Sequence, residues 1–294
     1  MELGRIGIWS WAFANMPSHA LREIMPEIES LGFRTMWYPE YLSREALTGG
    51  AVLLAAGKNC IAVTGIAVIW GRDATTMANG SRTLAEAYPG RFALGIGVSH
   101  RPIVTTRGWN YERPYSTMVD YLDAMEKTRY IGPPPAQEPP VILAALGPRM
   151  LRLAAKRAWG AHPYFVTPEH THSARAILGA GTILAPEQAV VLSTDADAAR
   201  EIARNHASLY LSLPNYRNNL MRLGWCEEDL DHGGSNALID AIVAWGDLDT
   251  IRSRIDSHLE AGADHVGVQV LNGQEQGFPI TEWREIAPAL TDLL

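Results

Sequence analysis

At 294 residues, with 47% hydrophobic and 19% charged side chains, the chain is long and apolar enough to bury a large core and is not a disordered polymer. A formal net charge of -7 without any run of Lys or Arg leaves no basic face for phosphates, so nucleic acid is not the expected partner. Two cysteines far apart, Cys60 and Cys226, exclude a disulfide framework or a zinc cluster, and without an apolar run of about 18 residues no membrane span is expected. A soluble, cytoplasmic protein is the expectation.

Ile6-Gly7-Ile8-Trp9 reads as a first strand. Ser18 then caps a helix in which Leu21, Ile24, Ile28 and Leu31 recur at helical spacing before Gly32. Phe33 to Tyr38 follows as a second strand ending in Pro39-Glu40-Tyr41, and Ser43 opens a helix through Leu53 to about Lys58. Ile61 to Ile69 is a third strand, near-continuously apolar and broken only at Thr64-Gly65. Asp73 caps the next helix, which Pro89-Gly90 ends.

The fourth strand, Arg91 to His100, organises the reading. It is apolar or Gly without polar alternation, as in a parallel strand covered on both faces, and then Gly95, Gly97, Ser99 and His100 change its character. A reactive group at the carboxyl end of a parallel strand is where α/β proteins place their chemistry. The plainer alternative is that the glycines only permit tight packing and His100 is a solvated loop residue.

Ser116 to about Ile131 is amphipathic, and the proline-rich 132–140 is a stiff surface connection. Val141 to Leu146 is strand five, Gly147-Pro148-Arg149 opens a helix, and Ala161 to Val166 is strand six, with Thr167-Pro168 starting the next helix. Gln188 to Leu192 is strand seven and Asp195 starts a long helix to about Leu213. Residues 214–234 lack strand character and read as a helical insertion; helices near Ala237 to Trp245 and Leu248 to Ala261 lead to a last strand, His265 to Val270. About eight strands alternating with helices in a single 1–294 domain predict an α/β fold of the (β/α)8 TIM barrel type, with a doubly wound open sheet as the alternative.

In a barrel the residues after each strand share one mouth, so Trp9-Ser10-Trp11, Glu40-Tyr41, 66–73, Ser99-His100, Leu146-Gly147, 165–167 and Leu271-Asn272 are expected to meet. A Schiff-base mechanism lacks its nucleophile, because the only lysines, Lys58, Lys127 and Lys156, fall on predicted helices. No metal is expected: the first strand offers no ligand, and His170 and His172, two apart on a helix, read as solvated surface. Gly95-x-Gly97 is no dinucleotide fingerprint, whereas Gly147-Pro148-Arg149 leaves helix N-terminal N–H groups free for a phosphate. An apolar mouth with an imidazole, a carboxylate and a phosphate cradle suits a large flat cofactor.

Four segments, 31–40, 87–100, 144–151 and 263–266, resemble the luciferase-like barrel oxidoreductases, which depend on flavin or deazaflavin, and within them the actinobacterial branch assigned to coenzyme F420. The resemblance runs from about Gly4 to Leu271. It implies an enzyme, commonly a homodimer, that moves a hydride between the deazaflavin and an apolar small-molecule substrate, with FMN as the alternative cofactor of a monooxygenase. By resemblance, a third-strand bulge with a cis non-proline peptide falls near Gly65-Ile66-Ala67 and presses on the cofactor ring. Gly97, Val98, Ser99 and His100 border the ring and Gly147, Pro148, Arg149 and Met150 hold the phosphate, with Arg72 and Arg101 placed for the acidic tail. Active members often carry Asp-His where Glu40-Tyr41 stands here. That departure makes His100 the first choice of proton donor, Tyr41 the second and Glu40 an orienting group, and it keeps a non-catalytic cofactor-binding protein as a further alternative. Trp9, Trp11 and Trp70 are expected to wall the substrate pocket.

Overall fold

Short apolar runs become parallel strands wherever a helix follows to cover them. In a computed structural model that describes residues 1–274 and 277–294, these are β1 (Ile6–Trp9), β2 (Thr35–Tyr38), β3 (Ile61–Thr64), β4 (Ala67–Val68), β5 (Phe92–Gly97) and β6 (Val141–Leu143). They continue with β7 (Gly160–Ala161), β8 (Ile183–Leu184), β9 (Glu187–Leu192), β10 (Ala244–Gly246) and β11 (Val266–Val270). All pairings are parallel, in the order β10-β9-β11-β1-β2-β3-β5-β6-β7-β8, with β4 on β5. From β1 to β8 the order follows the chain, without the reversal that a doubly wound sheet requires.

The sheet curls because β8 and β9 belong to one segment with two neighbours. Ala185 N donates to Ala161 O on the β7 side, and Gly267 N donates to Pro186 O on the β11 side. The result is a curled parallel sheet with helices outside it, a TIM-barrel-like α/β fold. Its interior holds an aromatic layer: Trp37 Nε1 donates to His265 Nε2 at 2.9 Å, and the Trp37 ring stacks on His162 with centroids 4.3 Å apart.

Four local expectations are corrected. The third strand is interrupted by a cis Gly65–Ile66 peptide bond, beyond which β4 pairs with β5. Strand six shrinks to Gly160–Ala161, because Pro163 has no N–H to donate and Phe165 adopts a φ of 57°. The helix near Ala237 ends at Ile242, and Ala244–Gly246 pairs alongside β9 instead; a short apolar run does not distinguish the two states. His170 is buried at 3% exposure, since the helix Pro168–Leu178 turns His170, Thr171, Ala174 and Leu178 inward together, whereas His172 is exposed. Residues 214–234 contain the helices Pro214–Arg222 and Glu227–Leu230.

Candidate active site

The strand ends converge on a cavity of about 470 Å³. Its floor carries Trp9 from β1 and Gly65-Ile66 from the break after β3. One wall is Val98, Ser99 and His100 after β5, and the rim next to it is 144–150 after the neighbouring β6. Gly95 and Gly97 serve this convergence by packing: a β-carbon at Gly95 would fall 1.9 Å from Thr64 O, and one at Gly97 would fall 2.8 Å from the Ile66 side chain. The strand can therefore lie against the bulge only without side chains at those positions.

Ser99, at φ 56°, turns the chain so that His100 enters the wall. His100 Nδ1 lies 3.1 Å from Asn215 Oδ1. An amide oxygen only accepts, so Nδ1 carries the proton of the neutral ring and Nε2 keeps its lone pair. Burial pushes the imidazole below its ordinary value, partly offset by the Asn215 bond. Its ring also rests against Tyr216, 5.4 Å between centroids.

On that rim Gly147 is the cap of the helix Pro148–Arg157, and no side chain of the cap closes that end. Its first amides stay available, Arg149 lies over the Tyr115 ring at 4.3 Å, and the nearest atom to a β-carbon at Gly147 would be Arg222 Nη2 at 3.5 Å. A helix N-terminus with a guanidinium group beside it is chemically able to hold an anion. A larger cavity of about 1130 Å³ lies on the other side of Trp11 and takes Leu271 and Asn272, but it contains none of the strand-end fragments from β3, β5 or β6.

This arrangement has a match. The luciferase-like monooxygenase family fits residues 6–265. The chain belongs to that family. As a luciferase-like protein it is similar in structure to an F420-dependent secondary alcohol dehydrogenase in complex with an F420-acetone adduct, with TM-score 0.79, 15% identity and 100% of both chains covered. It is also similar to the coenzyme F420-dependent tetrahydromethanopterin reductase from Methanopyrus kandleri, at TM-score 0.72, 15% identity and 100% of both chains. A third likeness is the FMN complex of a type II Baeyer-Villiger monooxygenase from Pseudomonas putida, at TM-score 0.69 and 15% identity, over 99% of this chain and 97% of that one.

Within this luciferase-like frame the cavity brings together Trp9, Trp11, Glu40, Gly65, Ile66, Val98, Ser99, His100, Gly147, Pro148, Arg149 and Met150. It leaves out Tyr41, whose ring meets Trp11 edge-on at 6.2 Å, and Trp70, whose Nε1 donates to Val98 O at 2.7 Å. Ala67 and Gly97 lie in strands behind the lining. Arg101 is exposed over the Tyr111 ring at 5.5 Å. Arg72 does not reach the cavity. It pairs with the buried Glu40, and with Glu45 at 2.8 Å, while Glu40 Oε2 accepts from Val68 N at 2.7 Å. Glu40 and Arg72 thus tie the segment after β2 to β4.

Removing one partner of such a buried pair leaves the other uncompensated. Arg72→Met is expected to cost about 3 kcal/mol in urea unfolding, and Glu40→Gln less, because Glu45 still faces the guanidinium. The opposite ranking would contradict this account.

Asn215, Tyr216 and Arg222 also line the cavity and were not legible in the sequence, since 214–234 carries no motif. His162 and Tyr164 line it too; the expected strand Ala161 to Val166 covered both, and only its shortening to Gly160–Ala161 leaves them beyond a strand end.

Proposed function

We propose that the chain is a coenzyme F420-dependent oxidoreductase that transfers a hydride between the deazaflavin and an apolar organic substrate. The observation that carries this reading is one cavity joining the Gly65–Ile66 bulge, the His100 imidazole and the Gly147–Arg149 cradle. The reading takes the curled sheet as an eight-unit (β/α)8 barrel closed through 183–192, with 214–234 as a helical insertion on its rim.

The residues fit the group. Ile66, Val68 and Val98 offer apolar surface to a flat ring, and the open N-terminus beside Arg149 and Arg222 suits its phosphate. When bound, the deazaflavin supplies hydride chemistry at its C5. The protein's own part is orientation and a proton. Asn215 fixes the His100 tautomer, and the lowered basicity keeps Nε2 unprotonated near neutrality, ready to exchange the proton that accompanies the hydride. The likeness to two F420-dependent enzymes supports the choice of cofactor.

Fluorescence titrations with the deazaflavin coenzyme and with FMN, run side by side, test this. The deazaflavin is expected to bind at least about tenfold tighter; tighter FMN binding would move the assignment to a flavin monooxygenase. His100→Ala is expected to lower turnover by about 100-fold with cofactor affinity retained. A cofactor that binds tightly but is never reduced by any candidate substrate would leave only a carrier.

A further inference from the structure

Two buried polar atoms on the floor of the cavity have no hydrogen-bond partner among the described residues, Trp9 Nε1 and His162 Nε2. They are complementary. An indole N–H only donates. His162 Nδ1 bonds the Ala185 carbonyl at 2.6 Å, and a carbonyl only accepts, so the proton of the neutral ring sits on Nδ1 and Nε2 presents a lone pair.

Both side chains are 2% exposed, both line the cavity, and they converge beside Gly65. A β-carbon there would fall 2.7 Å from Trp9 Nε1 and 3.4 Å from His162 Nε2. The other indole–imidazole pair of the interior behaves differently: Trp37 donates directly to His265 Nε2, and both atoms are satisfied. Each orphan atom exposes less than 1 Å², so bulk water does not relieve the cost of leaving it unpaired.

We propose that Trp9 and His162 together bind a single hydroxyl oxygen, which accepts from the indole N–H and donates to His162 Nε2. A hydroxyl satisfies both atoms at once. A carbonyl or ether oxygen satisfies only the indole and turns a lone pair towards that of the imidazole. The ligand class is therefore an alcohol on an apolar body, because Ile103, Leu146 and Leu213 line the same cavity. This deepens the assignment above and rests on reading the cavity as the substrate pocket.

Cyclohexanol, cyclohexanone and methoxycyclohexane, titrated into the full-length protein without cofactor and followed by ligand-observed NMR, distinguish the possibilities. Wild type is expected to bind the alcohol about fivefold tighter than either analogue, the worth of one hydrogen bond. Trp9→Phe and His162→Phe are expected to bring the ratio to about one. Trp9→Phe breaks no hydrogen bond of the protein, so it keeps the test open if His162→Phe, which gives up the Ala185 bond, fails to fold. Equal binding by wild type, as when the pair holds only a water molecule, or a preference that survives in Trp9→Phe, overturns the proposal. The deazaflavin titration reads out separately, so intact coenzyme binding without an alcohol preference sinks this inference and leaves the cofactor assignment standing.

Discussion

Gly95→Ala is expected to leave little folded protein. The new methyl carbon would lie 1.9 Å from Thr64 O and 3.1 Å from Thr64 C, both backbone atoms, so no side chain can swing away to make room. One of the two strands must move, although β3 and β5 pair through Ala62 with Phe92 and Val63 with Ala93, and Thr64 Oγ1 donates to Gly95 O at 2.6 Å. Overpacking of this kind between fixed backbones belongs to the exceptional class of substitutions, at about 4 kcal/mol or more. Gly97→Ala meets the Ile66 side chain at 2.8 Å and the Ala144 β-carbon at 3.0 Å, looser contacts than that at Gly95, and should cost less; Gly147→Ala, with φ -86° and no atom nearer than 3.5 Å, should fold normally. Soluble yield and urea unfolding of the three variants give the ranking; a Gly95→Ala protein as stable as wild type would refute the packing described for β5.

Acidification is expected to unfold the protein steeply between pH 6.5 and 4. Burial holds His162, His206 and His265 down to about 4 and His258 to about 3. In the unfolded chain each titrates near 6.5, so below that pH the unfolded state takes up protons that the folded state refuses. Each such group removes about 1.4 kcal/mol per pH unit. Glu187 acts in the opposite sense: burial raises its carboxyl to about 8, so it favours the folded state at low pH and that contribution is lost as pH rises towards 8. Between about 4.5 and 6.5 it offsets one histidine, which leaves a net slope on the order of 4 kcal/mol per pH unit. Above 6.5 only the Glu187 term remains, and stability should decline gently. A melting temperature recorded from pH 4 to 9 should therefore peak near 6.5, and Glu187→Gln should flatten the alkaline limb and steepen the acid one. A protein equally stable at pH 5 and pH 6.5 would contradict the burial of these imidazoles.

The rhythm of the fold is local chemistry, because strands covered on both faces must be apolar throughout and Gly or Pro must punctuate them. Ile6–Trp9, Thr35–Tyr38 and Phe92–Gly97 were legible on those grounds, as was the helix opening at Gly147-Pro148. Backbone-scale features carried most of the candidate site too, since a strand end or a helix N-terminus advertises itself locally. Which side chains turn inward was decided only in three dimensions. His162 and His170 are buried while His172 is exposed. Arg72 closes on Glu40 instead of reaching the cavity, and Asn215, Tyr216 and Arg222 arrive from a segment without any motif. The physical reason is that these contacts join residues separated by whole crossover units: His100 meets Asn215 115 positions away, and Trp37 meets His265 across 228. Local periodicity fixes the face of an element, whereas the partner awaiting that face depends on how the curled parallel sheet brings distant strands together.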